Sequence, residues 1–159
     1  GIRDISCVAK TADITAGQLF DRTGVKLGAS FPAGKFISDL AENGSSLVKY
    51  NITVKDGLVN LSGVENKVDR LISDGCRFED IAAFVADTVA EAISKMIAYA
   101  CSFFDLKLPV MMIGGVSSSS YLRKKLTDMN NLTFALPELS KDNAVGIAVL
   151  TMLSYNGEI

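Results

Sequence analysis

The sequence contains no histidine and no tryptophan, and only three prolines and three cysteines among its 159 residues. Without histidine, the chain cannot form a Ser-His or Cys-His catalytic pair, or a histidine-bound metal site, from its own side chains. The cysteines, Cys7, Cys76 and Cys101, are widely spaced and odd in number. This usage predicts free thiols in a reducing, cytoplasmic compartment rather than a disulfide framework.

A strong charge of either sign is also missing, because the formal net charge at pH 7 is −2. This balance argues against binding nucleic acid through bulk electrostatics, so an RNA contact would be local or supplied by a partner. The apolar content of 48% and the length of 159 residues predict a single globular domain over residues 1–159. The chain begins with Gly1 rather than methionine, which leaves open whether it is a fragment of a longer protein.

One apolar stretch, residues 81–104, is long enough to raise the question of a membrane span. Asp87, Glu91 and Lys95 recur every four residues within it and form a polar stripe on one helix face. A bilayer span rarely carries three charged residues, so we interpret the segment as a long, largely buried helix and expect no membrane contact.

Periodicity and turn residues predict a helix-rich α/β chain. The clearest strand is LPVMMI, residues 108–113, which we expect to be a central parallel strand covered on both faces. Further strands are predicted at 2–10 and 131–136, and a hairpin around the turn Lys55-Asp56-Gly57. Helices are predicted from the cap-like Asp13 or Thr15 to Gly28, after Phe31-Pro32 to about Gly44, and at 64–75, 77–104, 119–129 and 142–156.

The stretch IGGVSSSSYLRKKL, residues 113–126, places two glycines and four serines where the apolar strand becomes a basic amphipathic helix. Gly114 and Gly115 would admit a ligand close to the backbone, and a helix start favours anions. The turn is therefore a candidate ligand site at the carboxyl end of a strand. A tight turn capped by serine would explain the same residues without a ligand. Asp142 opens the last predicted helix, where it is either an N-cap or a metal ligand.

Four stretches in order, TAGQLFDRTGVKLGASFPAG, NLSGVENKV, IGGVSSSSYLRKKL and SKDNAVGIA, resemble the C-terminal half of the TsaD-type family. These are the tRNA threonylcarbamoyladenosine transferases, once called O-sialoglycoprotein endopeptidases or glycoproteases. The resemblance runs from about Thr11 to Met152. Each motif alone is weak, and the order and spacing of all four give the resemblance its strength.

The resemblance implies one ribonuclease-H-like lobe of the sugar-kinase/Hsp70/actin superfamily, with a nucleotide in the cleft between two lobes. It implies transfer of a carbamoyl group from threonylcarbamoyl-adenylate to an adenosine amine in tRNA, so the ligand would be that adenylate or another adenine nucleotide. A divalent metal (Fe, Zn or Mg) would be held by two histidines of an HxxxH motif in the N-terminal half. Binding of tRNA would need the complete protein or complex, and this chain alone would be inactive.

Carried over position by position, Asp21 matches the aspartate that binds the nucleotide ribose, and Gly34 matches a glycine against which the nucleoside packs. Gly114 and Gly115 match the adenosine-binding turn, and Asp142 matches the metal-binding aspartate. Ser119 stands at a nucleotide-binding position where the family has asparagine. Two further departures are Ala33, a methyl group where a ligand should approach, and Glu65, an acid in place of the family lysine.

Three interpretations remain open from the sequence. In the first, the chain is part of a working transferase. In the second, it belongs to a degenerate, non-catalytic paralogue used for binding or assembly, and Ser119 and Glu65 favour this interpretation. The third keeps the superfamily and changes the substrate, as in a small-molecule kinase, although no residue specifically supports it. Half of a two-lobed cleft would expose an apolar face, so we also expect a homo-oligomer or a glycoprotease-family partner.

Overall fold

The computed structural model describes residues 5–46, 48–103, 109–129, 131–140 and 144–157. Its strands are β1 (Lys10–Thr11), β2 (Leu58–Val59), β3 (Val110–Met112) and β4 (Leu132–Phe134). Its helices are α1 (Ala16–Lys26), α2 (Gly34–Ala41), α3 (Ser62–Ser73), α4 (Phe78–Ser102), α5 (Ser120–Leu126), α6 (Pro137–Ser140) and α7 (Ala144–Tyr155). A 3-10 turn covers Gly115–Ser118. The prediction of a helix-rich α/β chain is confirmed.

The described strands form two small parallel pairs. β1 pairs with β2, with Lys10 opposite Leu58, and β3 pairs with β4, with Met111 opposite Thr133. A parallel pair needs a crossover, and α5 provides it between β3 and β4. The glycine turn at residues 114–115 therefore follows the carboxyl end of a parallel strand, as predicted.

The hydrophobic core is built around α4, a helix of 25 residues. Its first half is buried almost continuously, including Ile81, Phe84, Val85 and Val89, and α1, α2, α3 and α5 pack against it. The apolar stripes of those shorter helices supply the rest of the core, including Leu19, Phe20, Ile37, Val64, Val68 and Leu122. The predicted long, largely buried helix is confirmed. Among the described helices, none is long and apolar enough to cross a membrane.

The start of α1 shows why this helix begins where it does. The Thr15 hydroxyl accepts a hydrogen bond from the Gln18 backbone N–H at 3.1 Å, while the Gln18 side-chain oxygen accepts one from the Thr15 N–H at 2.9 Å. This reciprocal capping box makes Thr15 the N-cap. Asp13, the other predicted cap, instead accepts hydrogen bonds from the Leu61 and Ser62 N–H groups at the start of α3.

Two predictions about strands are wrong in part. The strand predicted at residues 2–10 reaches only Lys10–Thr11 among the described residues. The Asp56-Gly57 turn forms, with φ of 51° and 74°, yet it carries only a single antiparallel bridge between Lys55 and Leu58. β2 forms its strand pairing with β1, which is parallel to it and distant in the chain, and the local hairpin does not extend beyond the one bridge.

The prediction that β3 is covered on both faces is also wrong. Met112 on the inner face packs against the core, whereas Met111 on the outer face is 67% exposed. An unbroken apolar run is typical of a parallel strand that is buried on both faces. Within the described chain, no layer packs on the outer face.

Candidate functional site

The glycine turn connects β3 to α5 through the 3-10 turn. Gly114 has φ of 94°, a left-handed conformation that favours glycine. A Cβ atom added at Gly114 or at Gly115 would meet no atom within 4 Å, so the backbone here is open to close approach. The Ser117 hydroxyl donates to the Gly114 carbonyl at 2.7 Å and fixes the turn from its buried side.

Ser118, in the same turn, has a buried hydroxyl oxygen that finds no hydrogen-bond partner in the described part of the chain. A buried hydroxyl left unpaired costs about 1–3 kcal/mol. Such groups in a folded protein call for an explanation, of which a bound molecule is one. The turn therefore combines an open backbone with a polar group that lacks a partner.

Arg123 holds the turn against the end of β4. Its Nε donates to the Ser117 carbonyl and its Nη2 donates to the Ala135 carbonyl, both at 2.7 Å. The guanidinium also lies 5.0 Å from the centre of the Phe134 ring. Planar arginine suits this combination of two carbonyls and one aromatic face. Sequence reasoning missed this role because it described this segment only as a basic amphipathic helix.

Asp21 and Gly34 are brought together through the backbone of the FPAG turn. The Asp21 Oδ1 atom accepts a hydrogen bond of 2.7 Å from the Ala33 N–H, directly before Gly34 at the start of α2. A Cβ atom added at Gly34 would meet nothing within 4 Å. The half-buried Asp21 carboxylate thus positions an open turn.

The interpretation of Ala33 as a methyl group in the ligand's path is wrong. Ala33 is fully buried, and its methyl group points into α1 at Gly24. A Cβ atom on Gly24 would lie 2.3 Å from the Ala33 Cβ, so the glycine in α1 makes room for the alanine. The extra methyl group therefore fills the seam between α1 and α2 rather than the surface where a ligand would approach.

Ser119 lies in the seam between α2 and α5. Its hydroxyl donates to the Ser38 hydroxyl at 2.8 Å and accepts a hydrogen bond from the Leu122 N–H at 3.3 Å. Ser119 is therefore the N-cap of α5, and this cap occupies one of the N–H groups expected to attract an anion. Because α5 has only seven residues, the openness of the turn rests on its glycines rather than on a helix dipole.

Glu65 lies between two cations of α1. Its carboxylate is 3.0 Å from Arg22 Nη1 and 3.1 Å from Lys26 Nζ. Partial burial acts to raise the Glu65 pKa, but the hydrogen bonds from Arg22 and Lys26 outweigh it and leave that pKa below its usual value. The acid in place of a lysine is therefore neutralised locally and joins α3 to α1.

The first of the four resembling stretches contacts two of the others. The Val116 side chain, in the glycine-turn stretch, lies 3.7 Å from where a Gly17 Cβ would be. Glu65, in NLSGVENKV, pairs with Arg22 and Lys26 of α1. The fourth stretch contains Asp142, which lies outside the described residues. Among residues that the structure describes, no group of three or more Cys, Asp or Glu side chains could hold a metal ion.

The chain has a helix-rich α/β fold with an open glycine turn after a parallel strand, and the carboxyl ends of parallel strands are where open α/β sheets in general bind ligands. A comparison with protein families gives the particular group. The family model for tRNA N6-adenosine threonylcarbamoyltransferase, TsaD, matches residues 2–149. The chain belongs to this family.

Individual relatives have related names, and all are longer than this chain. The tRNA N6-adenosine threonylcarbamoyltransferase of Oenococcus oeni is 31% identical over 93% of this chain and 47% of its own length. The Archaeoglobus fulgidus protein of the same name is 29% identical over 92% of this chain and 46% of its own length. A probable bifunctional tRNA threonylcarbamoyladenosine biosynthesis protein from Methanobrevibacter smithii is 33% identical over 92% of this chain and 28% of its own. The chain spans about half or less of the curated relatives it matches.

Proposed function

We propose that this chain is the C-terminal part of a threonylcarbamoyl transferase acting on tRNA adenosine, and that it forms one wall of an adenine-nucleotide cleft. The remainder of the family's length would supply the opposite wall. In this proposal the chain is a single ribonuclease-H-like lobe, and its three free thiols suit a cytoplasmic enzyme. The observation that carries the proposal is the open Gly114–Gly115 turn after the end of β3.

In this proposal, the residues of the wall make different contacts with the nucleotide. The Asp21 carboxylate accepts a hydrogen bond from the Ala33 N–H and would accept the ribose hydroxyls with its remaining lone pairs. Gly34, Gly114 and Gly115 would let the flat nucleoside lie against the backbone, because no side chain intervenes.

Asp142 remains the proposed metal ligand of this chain. A carboxylate oxygen suits a divalent ion, and the metal would polarise the carbamoyl group of the adenylate when bound. In this proposal the other ligands come from the part of the family's length that this chain does not span.

Calorimetric titration tests the nucleotide cleft. ATP and AMP, with and without Mg²⁺, would be titrated into this chain and into the complete protein that contains it. We expect the complete protein to bind the nucleotide, and Asp21→Asn to weaken binding at least tenfold. Asparagine keeps an acceptor for the Ala33 N–H, so this variant changes the ligand contact while the turn stays in place.

Two further variants complete the design. Gly115→Ala adds a methyl group to open space, so it should fold normally and lose affinity only if a ligand lies against the turn. Asp39→Asn, on the exposed side of α2, is the matched control and should leave affinity unchanged. Failure of the complete protein to bind, or equal binding by all variants, would contradict the proposed cleft and leave the non-catalytic paralogue as the better account.

A further inference from the structure

Two exposed aromatic rings flank the Gly34 turn. Phe31 lies before the turn and is 76% exposed, and Phe36, in the first turn of α2, is 37% exposed. A single exposed apolar side chain is ordinary on a protein surface. Here two large aromatic side chains are exposed within residues 31–36, on either side of a backbone that is open to close approach at Gly34.

The backbone that carries these rings is anchored on its buried side. Ala33 is fully buried against Gly24 of α1, and its N–H group donates to Asp21 at 2.7 Å. Ile37 is also fully buried, and its N–H group donates to the Ala33 carbonyl at 3.1 Å. The rings are therefore exposed on an ordered turn, and a surface that is already ordered loses little conformational freedom when it binds.

The proposed reaction requires a base that is not paired. The relatives are named for transfer to the N6 position of adenosine in tRNA, and in a duplex this amine is hydrogen-bonded to the opposite base. Enzymes that modify a base therefore act on single strands or extrude the base from the stack. Unpaired RNA bases stack on exposed aromatic side chains, and every base offers a face for this contact.

We propose that Phe31 and Phe36 stack against unpaired bases of the RNA substrate, next to the adenosine that enters the cleft. The inference rests on the proposed function, which places the nucleotide against Gly34 between these two residues. The rings hold the single strand at the edge of the cleft and take no part in the transfer itself.

Stacking, rather than charge, is the contact that this segment offers. Lys35 lies between the rings and its side chain is 86% exposed, but it is paired with Asp39 one helical turn away. The segment therefore brings no net charge, and its contact should add little to the salt dependence of RNA binding.

A protein partner fits the size of this surface less well. A buried aromatic side chain covers about 150–250 Å², so the two rings together would bury at most about 500 Å². A stable protein interface buries about 800 Å² on each partner. A base, in contrast, needs only one ring to stack on.

RNA binding by the complete protein that contains this chain tests the proposal. The probe is a fluorescent RNA hairpin whose unpaired loop contains adenosine, measured by anisotropy, with a fully paired duplex for comparison. We expect the hairpin to bind more tightly than the duplex, and Phe31→Ala or Phe36→Ala to weaken hairpin binding at least about fivefold. Phe31→Trp keeps an aromatic face and should bind within about twofold of wild type.

Two controls separate stacking from other causes. Phe31→Ala should leave the slope of log affinity against log salt unchanged, because it removes no charge. Phe78→Ala also removes an exposed ring, and it should bind the hairpin as the wild type does. Phe78 is next to Glu79, whose backbone packs against Gly44 beyond the far end of α2 from the turn.

Several results would overturn the proposal. One is equal hairpin affinity for wild type and both alanine variants, and another is a hairpin that binds no more tightly than the duplex. A self-associated form in light scattering that Phe31→Ala disperses would assign the rings to a protein contact. Calorimetry with ATP on the same proteins separates this inference from the cleft. Hairpin binding that depends on the rings without ATP binding would contradict the cleft alone, whereas ATP binding with no effect of either ring would contradict the stacking surface alone.

Discussion

Gly24 lies in the last turn of α1, where an alanine would ordinarily be the better helix former. Here the space for a methyl group is already occupied by Ala33, at 2.3 Å from the position of the missing Cβ. The two residues form a complementary pair across the α1–α2 seam. We expect Gly24→Ala to lower the free energy of unfolding by about 1–3 kcal/mol through overpacking, as measured by urea denaturation.

The reciprocal exchange provides the control. In the double variant Gly24→Ala with Ala33→Gly, the methyl group moves from one helix to the other and the clash disappears. Most of the lost stability should return, giving a strongly favourable coupling in the double-mutant cycle. Additive losses in the double variant would show that the close approach of the two residues is not the cause.

Asp13 ties the start of α3 to the loop before α1, because its two oxygens accept hydrogen bonds from the backbone N–H groups of Ile14, Leu61 and Ser62. Partial burial acts to raise its pKa, and the hydrogen bonds at Leu61 and Ser62 reverse that effect, so the folded-state pKa is lower than in the unfolded chain. A depressed pKa gives stability that is fully present above the unfolded value and lost as pH falls through the folded one.

The resulting prediction concerns the pH dependence of Asp13→Asn. We expect a loss of about 1 kcal/mol at pH 7, shrinking as the pH falls below about 4. Chemical denaturation of both proteins from pH 7 to pH 3 measures the difference. Asp56→Asn is the control, because Asp56 has φ of 51°, which asparagine tolerates. A loss for Asp13→Asn that stays constant with pH would rule out the charge as its source.

At the scale of elements, Glu65 joins α3 to α1 through ion pairs with Arg22 and Lys26, and Lys26 also lies 2.6 Å from Asp69. Restoring the family lysine with Glu65→Lys would place three cations together. We expect a loss on the order of 1 kcal/mol at low ionic strength, decreasing in 0.5 M salt because the repulsion is screened. Thermal unfolding at the two salt concentrations measures it.

A charge exchange separates this repulsion from lost packing. Adding Arg22→Glu to Glu65→Lys recreates an opposite-charge pair in the reverse orientation and should recover part of the stability. If the double variant is less stable than the single one, the electrostatic account of Glu65 is wrong.

Local signals at element ends could be read from the sequence, whereas long-range pairing could not. Thr15 with Gln18 marks the start of α1, and the left-handed Gly28 lies just past its end, so the helix was predictable. The Asp56-Gly57 turn was equally clear, yet the partner of β2 is β1, far away in the chain. Alternation of apolar and polar residues predicts a strand, but it does not predict which other strand it pairs with.

The candidate site divides in the same way. The turn at Gly114 and Gly115 was predictable because glycines directly after an apolar run are a local signal for a turn. The direction of the Ala33 methyl group, the pairing of Ser119 with Ser38 and the unpaired Ser118 hydroxyl depend on how separate elements pack. No single stretch of sequence contains that information.

At the scale of the whole molecule, burial is uneven along the chain. Ile81 to Ala86 in α4 are buried on all sides, while Ile147, Val149, Leu150 and Met152 of α7 are exposed. We therefore expect hydrogen exchange of the isolated chain to be slowest at the amides of residues 81–89 and much faster in α7, because local opening costs least where few contacts are lost. Mass spectrometry of exchanged peptides measures the difference, and equal protection of the two helices would contradict it.

The basic residues of α5 bear on how this chain could meet a nucleic acid. Arg123 is bonded to two carbonyls, Lys124 lies 2.6 Å from Glu42, and Lys125 lies 2.9 Å from Asp87. A phosphate backbone would have to displace these partners before it released any counterions at this helix. The salt dependence of RNA affinity in a complete protein should therefore change little when Lys124 or Lys125 is neutralised, and its slope would be set by residues outside α5.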